Sequence, residues 1–312
     1  MNKPEMELSI VVPLHDEEEN VVRLFPAIEQ AVGPLGIPYE VIFVDDASND
    51  ATWERLSGLQ PTSAELVTVA LRRNAGQTAA MACGFAHCRG KVVVTMDGDL
   101  QNDPADIPAM LAKINEGFDL VCGWRKNRQD KLWTRKVPSK IANWLIRKIT
   151  GDKVHDFGCS LKAYTRPLVQ RMRLYNDMHR FLPFISQKVG ARVGEMVVKH
   201  HARQFGQTKY GMNRTWKILV DLLSLKVLIH HHHSLLRWFV LMSMPLVAIA
   251  TLLVVGAFRA PLPYQQVLLG SGIVCGCLAI FTAFLGFLSD IVIDTGQFDD
   301  LLASEPQPGG AR

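Results

Sequence analysis

No Cys-x-x-Cys pair occurs in this chain, and its six cysteines, Cys83, Cys88, Cys122, Cys159, Cys275 and Cys277, follow no ordered spacing. That excludes a zinc ribbon and a disulfide framework, and fits reduced, mostly buried thiols of a cytosol-facing protein. No Gly-x-Gly-x-x-Gly follows the first apolar run, so a dinucleotide fingerprint is missing. Residues 1–7 are polar and lack an apolar segment, so no signal peptide is expected there. Charge thins out after Arg237. The formal net charge is only +4, concentrated between Arg125 and Lys217, and no nucleic-acid signature accompanies it. Nucleic acid is therefore not an expected partner. A basic face of this size suits anionic headgroups or phosphorylated substrates instead.

What is present is a regular alternation. The run Leu8–Leu14 has the unbroken apolar character of strands buried in parallel sheets; Tyr39–Val44 and Leu66–Leu71 read as the second and third strands, and Val92–Thr95 as a further buried one. Helical stretches are expected from Glu17 to Ala31 with Asp16 as N-cap, from Thr52 to Gly58, and from Thr78 to Cys88. Such βαβ spacing predicts an α/β fold built on a doubly wound, mostly parallel sheet. With 312 residues there is room for one large domain and an appendage.

The stretch Val92–Pro104, VVVTMDGDLQNDP, organises the rest. Its strand stops on Asp97-Gly98-Asp99, which places two carboxylates at the carboxyl edge of the sheet, where open α/β folds bind ligands. Adjacent anions repel unless a cation sits between them. Oxygen ligands of this type suit Mg²⁺ or Mn²⁺, which can then hold a substrate's phosphates. Without a glycine-rich phosphate loop, a bound metal is the other means of neutralising a diphosphate. Gln101 and Asp103 extend the polar edge, and Pro104 opens the next helix. The competing reading is a solvated turn rich in Asp and Asn.

The segments VVPLHDEEEN, FVDDASNDAT, RRNAGQTAAM, MDGDLQNDP, GWRKNRQDKLWTRKVPSK, HDFGCSLKAY and RQFGQTKYGM, in this order, resemble the inverting family-two glycosyltransferases of the GT-A fold. Within that family the likeness is to the polyprenyl-phosphate branch, which includes dolichol-phosphate mannose synthases, and most of all to bacterial undecaprenyl-phosphate formamidoarabinose transferases. It covers about residues 8 to 225. The resemblance implies that Pro13, His15 and Glu17 line the nucleotide pocket, with His15 and Asp16 standing where Tyr and Asn are usual. It implies that Asp45 bonds the base or ribose, that Asp97 faces the ribose and the metal, and that Asp99 and Gln101 complete the metal's ligands. Arg125, Arg135 and Ser139 would bind the phosphate of the lipid acceptor, a role suited to the planar guanidinium fork. Arg203 and Lys209 would clamp the donor's diphosphate. Asp156 would orient the acceptor or aid its last proton loss; a lipid monophosphate has its second pKa at about 6 and needs little help. Relatives assemble as homo-oligomers, often tetramers.

Around these residues, Lys126, Arg128 and Lys131 read as a solvated face. Val137–Ile149 reads as an amphipathic helix, either at a membrane surface or facing the core. Trp238–Phe258 and Val267–Ser289 are each long and apolar enough to cross a bilayer core, which takes about 20 residues. They are joined by a short turn at Arg259–Pro263, and Gly272-x-x-x-Gly276 offers a close-packing face. Lys217, Lys226 and Arg237 precede the first span against Arg259 in the link, which places the catalytic part inside. The expected organisation is a catalytic domain over 1–215, a juxtamembrane amphipathic helix over 216–234, two transmembrane helices over 235–290 and a disordered tail over 291–312. His230–His233 fits an interfacial collar, with metal binding as the alternative.

The expectation is a multi-pass enzyme of the bacterial inner membrane with a cytoplasmic catalytic domain. It would move one sugar from a nucleotide-diphosphate donor, a UDP-sugar favoured, to undecaprenyl phosphate, serving envelope glycan or lipid modification. Transfer to a non-phosphorylated glycan is a rival opposed by Arg125, Arg135 and Ser139 and by the lack of a Gln-x-x-Arg-Trp segment. A silent nucleotide-sugar-binding membrane protein is a rival of another class, which Asp97, Asp99 and Arg203 oppose.

Overall fold

A computed structural model describes residues 5–126, 143–144, 146–148, 151, 154–172, 180–202 and 235–295, with side chains of the last segment to 291. Arg135, Ser139, Arg203, Lys209, the expected juxtamembrane helix, His230–His233 and the tail beyond 295 lie outside the described residues. Two units are described, a sheet with flanking helices within 5–202 and a helical hairpin over 235–295.

The sheet unit runs β1 (Leu8–Leu14), α1 (Glu18–Val32), β2 (Tyr39–Asp45), α2 (Thr52–Ser57), β3 (Glu65–Ala70), α3 (Gln77–His87), β4 (Val92–Thr95), α4 (Ile107–Asn115), β5 (Leu120–Trp124), β6 (Lys162–Thr165), α5 (Arg166–Arg171), α6 (Leu182–Lys188) and β7 (Val193–Val197). Seven strands form one sheet in the order β3-β2-β1-β4-β6-β5-β7. β1 pairs in parallel with both β2 and β4, and β2 with β3. β6 lies antiparallel between β4 and β5, and β7 returns to parallel beside β5. The expected GT-A-like, mostly parallel sheet is present.

Burial explains the uninterrupted strands. β2 is buried at every position, and β1 at all but Pro13. Helix α1 lays Val21, Leu24, Phe25, Ile28 and Val32 against this sheet, a helical stripe, with Phe25 edge-on to Phe43 at 6.0 Å. Each such side chain contributes about 2 kcal/mol by leaving water.

Asp16 is not the N-cap of α1. The cap position is Glu17, and Asp16 sits at φ 51 with its carboxylate accepting from Asn49 N–H at 2.8 Å. The helix's early donors are answered across the fold instead: Glu17 N–H donates to Thr52 Oγ1 at 2.8 Å and Glu18 N–H to Asp50 Oδ2 at 3.3 Å. Unpaired first-turn N–H groups need an acceptor from anywhere, and here the turn after β2 supplies it.

The second unit is an antiparallel pair, α7 (Leu235–Ala257) and α8 (Leu262–Thr295). At 23 residues α7 is about 34 Å long, enough for a hydrocarbon core of about 30 Å. Only 6% and 11% of the residues in the most apolar windows of the two helices are buried. A soluble core helix would be mostly covered, so this hairpin fits a membrane-spanning element. Gly272 meets α7 as expected: a Cβ there would lie 2.8 Å from Val254 Cγ2. Gly276 has nothing within 4 Å, and the second close approach is at Gly286, where a Cβ would lie 2.6 Å from Phe239 Cβ. The contact thus repeats after fourteen residues, two heptads, rather than four. At the open end, the Asp290 carboxylate accepts from Leu236 N–H at 3.3 Å, an acid placed at a helix start.

Candidate active site at the carboxyl edge of the sheet

The parallel strands β1, β2, β3 and β4 present their carboxyl ends together, and the turns that follow are tied to one another. After β1, Asp16 N–H donates to Ser48 Oγ at 2.9 Å, and His15 Nε2 lies 2.9 Å from Asn74 Nδ2 in the turn after β3. Asp45 closes β2 and accepts from Ser48 N–H and Oγ, an Asx-type turn. Asp46 accepts from Ala75 N–H at 2.7 Å and Gly76 N–H at 2.8 Å, one bond on each oxygen. The two acids of the Asp-Asp pair therefore divide their work. Asp46 holds the entrance to α3, while Asp45, 4% exposed, stands at the strand end. Pro13 lies beside it in β1, and His15 and Glu17 follow on the turn out of that strand.

Next to that turn sits Asp97-Gly98-Asp99. Gly98 packs closely over Leu14: a Cβ would lie 2.2 Å from Leu14 Cδ2 and displace that side chain. Leu100 adopts φ 58, an uncommon left-handed conformation for a side-chain-bearing residue, and this bends the chain so that Asp99 Oδ1 accepts from Gln101 N–H at 3.1 Å. Gln77, the first residue of α3, donates its Nε2 to Asp97 Oδ1 at 2.6 Å. Burial, then the Asp99 charge, push the Asp97 carboxyl above its ordinary value; a bond from Ser160 and the charges of Arg125 and Lys162 pull the other way.

The remaining acid comes from the turn before β6. Buried Asp156 and Arg125, whose side chain is 11% exposed, form a two-point ion pair: Nε to Oδ2 at 2.7 Å and Nη2 to Oδ1 at 3.0 Å. Burial disfavours the guanidinium charge, but the Asp156 carboxylate outweighs it and raises the arginine pKa. Gly158 allows this pairing, because a Cβ would lie 3.2 Å from Arg125 Nη2. Lys162, 3% exposed, donates its ammonium to the Cys159 carbonyl and adds a second cation near Asp97. Glu195 on β7 accepts from His155 N–H at 2.8 Å, Asp156 N–H at 3.2 Å and the His155 ring at 2.7 Å.

Beyond β7 the chain docks beside Asp99. Asn102 and His200 form an antiparallel bridge, and His201 N–H donates to the Gln101 carbonyl at 2.9 Å. The Gln101 side-chain amide reaches the His201 carbonyl at 3.5 Å. Burial would raise the Asp103 pKa, but bonds from Ala105 N–H and His201, helped by the Lys199 charge, leave it lowered. The residue after this docked segment, at Ala202, is Arg203.

Of the residues expected to act together, Pro13 and Asp45 lie in the last residues of β1 and β2, and His15, Glu17, Asp97, Asp99, Gln101, Arg125 and Asp156 on the carboxyl-edge segments beyond the strands. Arg125 and Asp156, expected in separate roles, are bound to each other. Gln77, Lys162 and Glu195 were not singled out from sequence. Gln77 stands inside the quoted RRNAGQTAAM segment and Lys162 inside HDFGCSLKAY, whereas Glu195 has no local signal.

Among the described residues no three acids, histidines or cysteines cluster as a metal cage. Two carboxylates still fit Mg²⁺ or Mn²⁺, which are bound by one or two acids and complete their shell with water and phosphate oxygens. The upward push on Asp97 from its like-charged neighbour marks a pair that a cation would relieve.

A profile described as Glycosyl transferase family 2 matches residues 9–173. The dodecaprenyl-phosphate galacturonate synthase of Rhizobium johnstonii is 39% identical over 304 residues, 96% of this chain and 88% of that protein. The undecaprenyl-phosphate 4-deoxy-4-formamido-L-arabinose transferase of Salmonella paratyphi B is 37% identical over 222 residues, 71% of this chain and 68% of that protein. Among solved structures, glucosyl-3-phosphoglycerate synthase from Mycobacterium tuberculosis with Mn²⁺ and UDP-glucose superimposes with a TM-score of 0.54 at 17% identity, over 71% of this chain and 79% of that one. A second structure of that enzyme, with Mn²⁺, UDP and phosphoglyceric acid, gives 0.55 at 20% identity, over 70% and 78%. These structural likenesses speak for the fold, and the profile match, with relatives at 39% and 37% identity, carries the assignment: the chain belongs to glycosyltransferase family 2.

Proposed function

We propose that this enzyme transfers a single sugar from a nucleoside-diphosphate sugar to a polyprenyl phosphate, with inversion, at the cytosolic face of a bacterial inner membrane. A UDP-sugar and undecaprenyl phosphate are the favoured pair. The observation that carries this is the meeting, at one sheet edge, of the Asp97–Asp99 carboxylates with an Arg125 held in an ion pair by Asp156. The names of the two relatives, both polyprenyl-phosphate sugar transferases, support the acceptor class. The apolar hairpin supports membrane attachment.

Asp45 accepts from a base N–H or a ribose hydroxyl, with Pro13, His15 and Glu17 forming the wall beside it. Asp97 and Asp99, with Gln101, would hold Mg²⁺ or Mn²⁺, which supplies charge neutralisation to the diphosphate. Gln77 fixes the Asp97 oxygen that would otherwise rotate away. Arg203 and Lys209 complete the clamp on the diphosphate, where exclusion of water strengthens their effect. Arg125, aimed by Asp156, joins Arg135 and Ser139 on the acceptor phosphate. An oxygen of that phosphate forms the new bond to the anomeric carbon as the bond to the diphosphate breaks, and the electron pair leaves with the nucleoside diphosphate. Asp156 acts by orientation, because the acceptor is already largely ionised.

Purified protein incubated with undecaprenyl phosphate, Mn²⁺ and a panel of nucleotide sugars tests this directly. A glycolipid is expected with one donor. No glycolipid with any donor would leave the silent binding protein as the better account.

A further inference from the structure

The residue that ties the acceptor side of the site together is outside every motif described above. Glu195 lies on β7, in register with Cys122 of β5. Its side chain, 15% exposed, spends both oxygens on the His155-Asp156 dipeptide. Oε1 takes His155 N–H at 2.8 Å and Asp156 N–H at 3.2 Å; Oε2 lies 2.7 Å from His155 Nδ1. From the other side, the His155 ring stacks on Trp124 with centroids 4.4 Å apart and planes 16° from parallel. The dipeptide is thus held by the last two parallel strands of the sheet, through a carboxylate on β7 and an indole at the end of β5. Asp156 in turn grips the Arg125 guanidinium at two points, and Arg125 follows Trp124 directly.

A free loop would let the Asp156 carboxylate rotate with its backbone, and the guanidinium would follow it. Two backbone N–H groups bonded to one carboxylate oxygen remove that freedom. We infer that Glu195 is a positioning residue for acceptor transfer: through Asp156 it fixes where Arg125 presents its charge to the incoming phosphate, and it takes no part in holding the donor. This rests on the activity proposed above. The bonds that hold the donor side, from Gln77 to Asp97 and from Ala75 and Gly76 to Asp46, involve neither Glu195 nor His155.

The test uses the full-length protein with the donor found by the screen, and compares Glu195→Ala with Glu195→Gln. Three quantities are read: kcat/KM for undecaprenyl phosphate, the Kd for UDP with Mn²⁺, and the melting temperature. Glu195→Ala is expected to lower kcat/KM for the lipid about 10- to 100-fold, the range typical of lost supporting bonds, with the Kd for UDP within twofold. Glu195→Gln is expected to recover most of the loss. Its amide oxygen can still accept from both backbone N–H groups, and its amide nitrogen can donate to a neutral His155 Nδ1. Should Glu195→Ala fail to fold, His155→Phe keeps the backbone bonds and the stack and is expected to cost less than about 5-fold in kcat/KM for the lipid. Equal losses in lipid turnover and UDP binding, an unchanged kcat/KM in Glu195→Ala, a Gln variant as poor as Ala, or a loss in His155→Phe as large as that expected for Glu195→Ala would each overturn the inference. An active wild type with any of these outcomes sinks this inference alone; a wild type inactive with every donor takes the activity proposal down with it.

Discussion

The two edges of the sheet both bury acids and treat them in opposite ways. At the amino edge Glu40 is fully buried, and its oxygens accept from Ser9 Oγ at 2.6 Å, Arg89 N–H at 2.7 Å, Arg89 Nε at 2.8 Å and Arg89 Nη2 at 2.6 Å. The Ser9 hydroxyl also accepts from Gly90 N–H at 2.8 Å, so that network is closed within the protein. At the carboxyl edge, burial and then the Asp99 charge push the Asp97 carboxyl upward, against the charges of Arg125 and Lys162. Charge answered by close donors builds architecture; like charges brought together, as Asp97 and Asp99 are, cost stability that a cation between them would return.

Mutations should separate the two edges cleanly. The largest effect is expected from Asp99→Ala: at least a 10³-fold loss of glycolipid formation, about 4 kcal/mol in the barrier, with little change in melting temperature. A near-normal rate at equal folded protein would break the assignment of this edge. Glu40→Ala should do the reverse, costing about 2–3 kcal/mol in denaturant unfolding because Ser9 and the Arg89 backbone lose their acceptor, while kcat per folded molecule stays within twofold. A third contrast uses the metal alone. Mn²⁺ at ten times its Kd should stabilise the wild type by about 1.4 kcal/mol and leave Asp99→Ala unmoved, which a thermal shift series would read.

The smallest effect concerns pH. Burial would raise the Glu29 pKa, but bonds from Ser63, Thr62 and Ala64 N–H and the Thr62 hydroxyl outweigh it and leave the carboxyl lowered. A lowered carboxylate contributes stability above its ordinary pKa and loses it as pH falls through the folded value. Glu29→Gln should therefore cost about 1 kcal/mol at pH 7, after allowance for solvent screening, and progressively less as pH falls below the ordinary carboxylate range. Asp97 has the opposite sign: its contribution is present below the ordinary carboxylate value and lost as pH rises through the raised one. Metal-free Asp97→Asn should accordingly melt above metal-free wild type at pH 7.

Local pattern made much of this legible. β1, β2 and β4 stand out as short, predominantly apolar or β-branched runs, and Asp97 and Asp99 announce themselves at a strand end. The hairpin is visible as two long stretches with almost no charge. What stayed hidden depends on residues far apart in sequence. Glu195 meets His155 and Asp156 across about 40 positions, so no window of sequence contains the contact. Asp16 has the right chemistry for a cap, yet it stands one residue ahead of the cap position, Glu17, and the turn after β2 takes its carboxylate. The antiparallel β6 between β4 and β5 has no composition of its own that would reveal its direction. Gly276 shows that a four-residue small-residue spacing says nothing about which face of a helix meets its partner.

The two-heptad interval between Gly272 and Gly286 has an evolutionary corollary. Seven residues make close to two helical turns, so lengthening or trimming both α7 and α8 by whole heptads would preserve their azimuth and crossing angle. Bilayers of different thickness could then be matched by adjusting length, with the seam between the helices left intact.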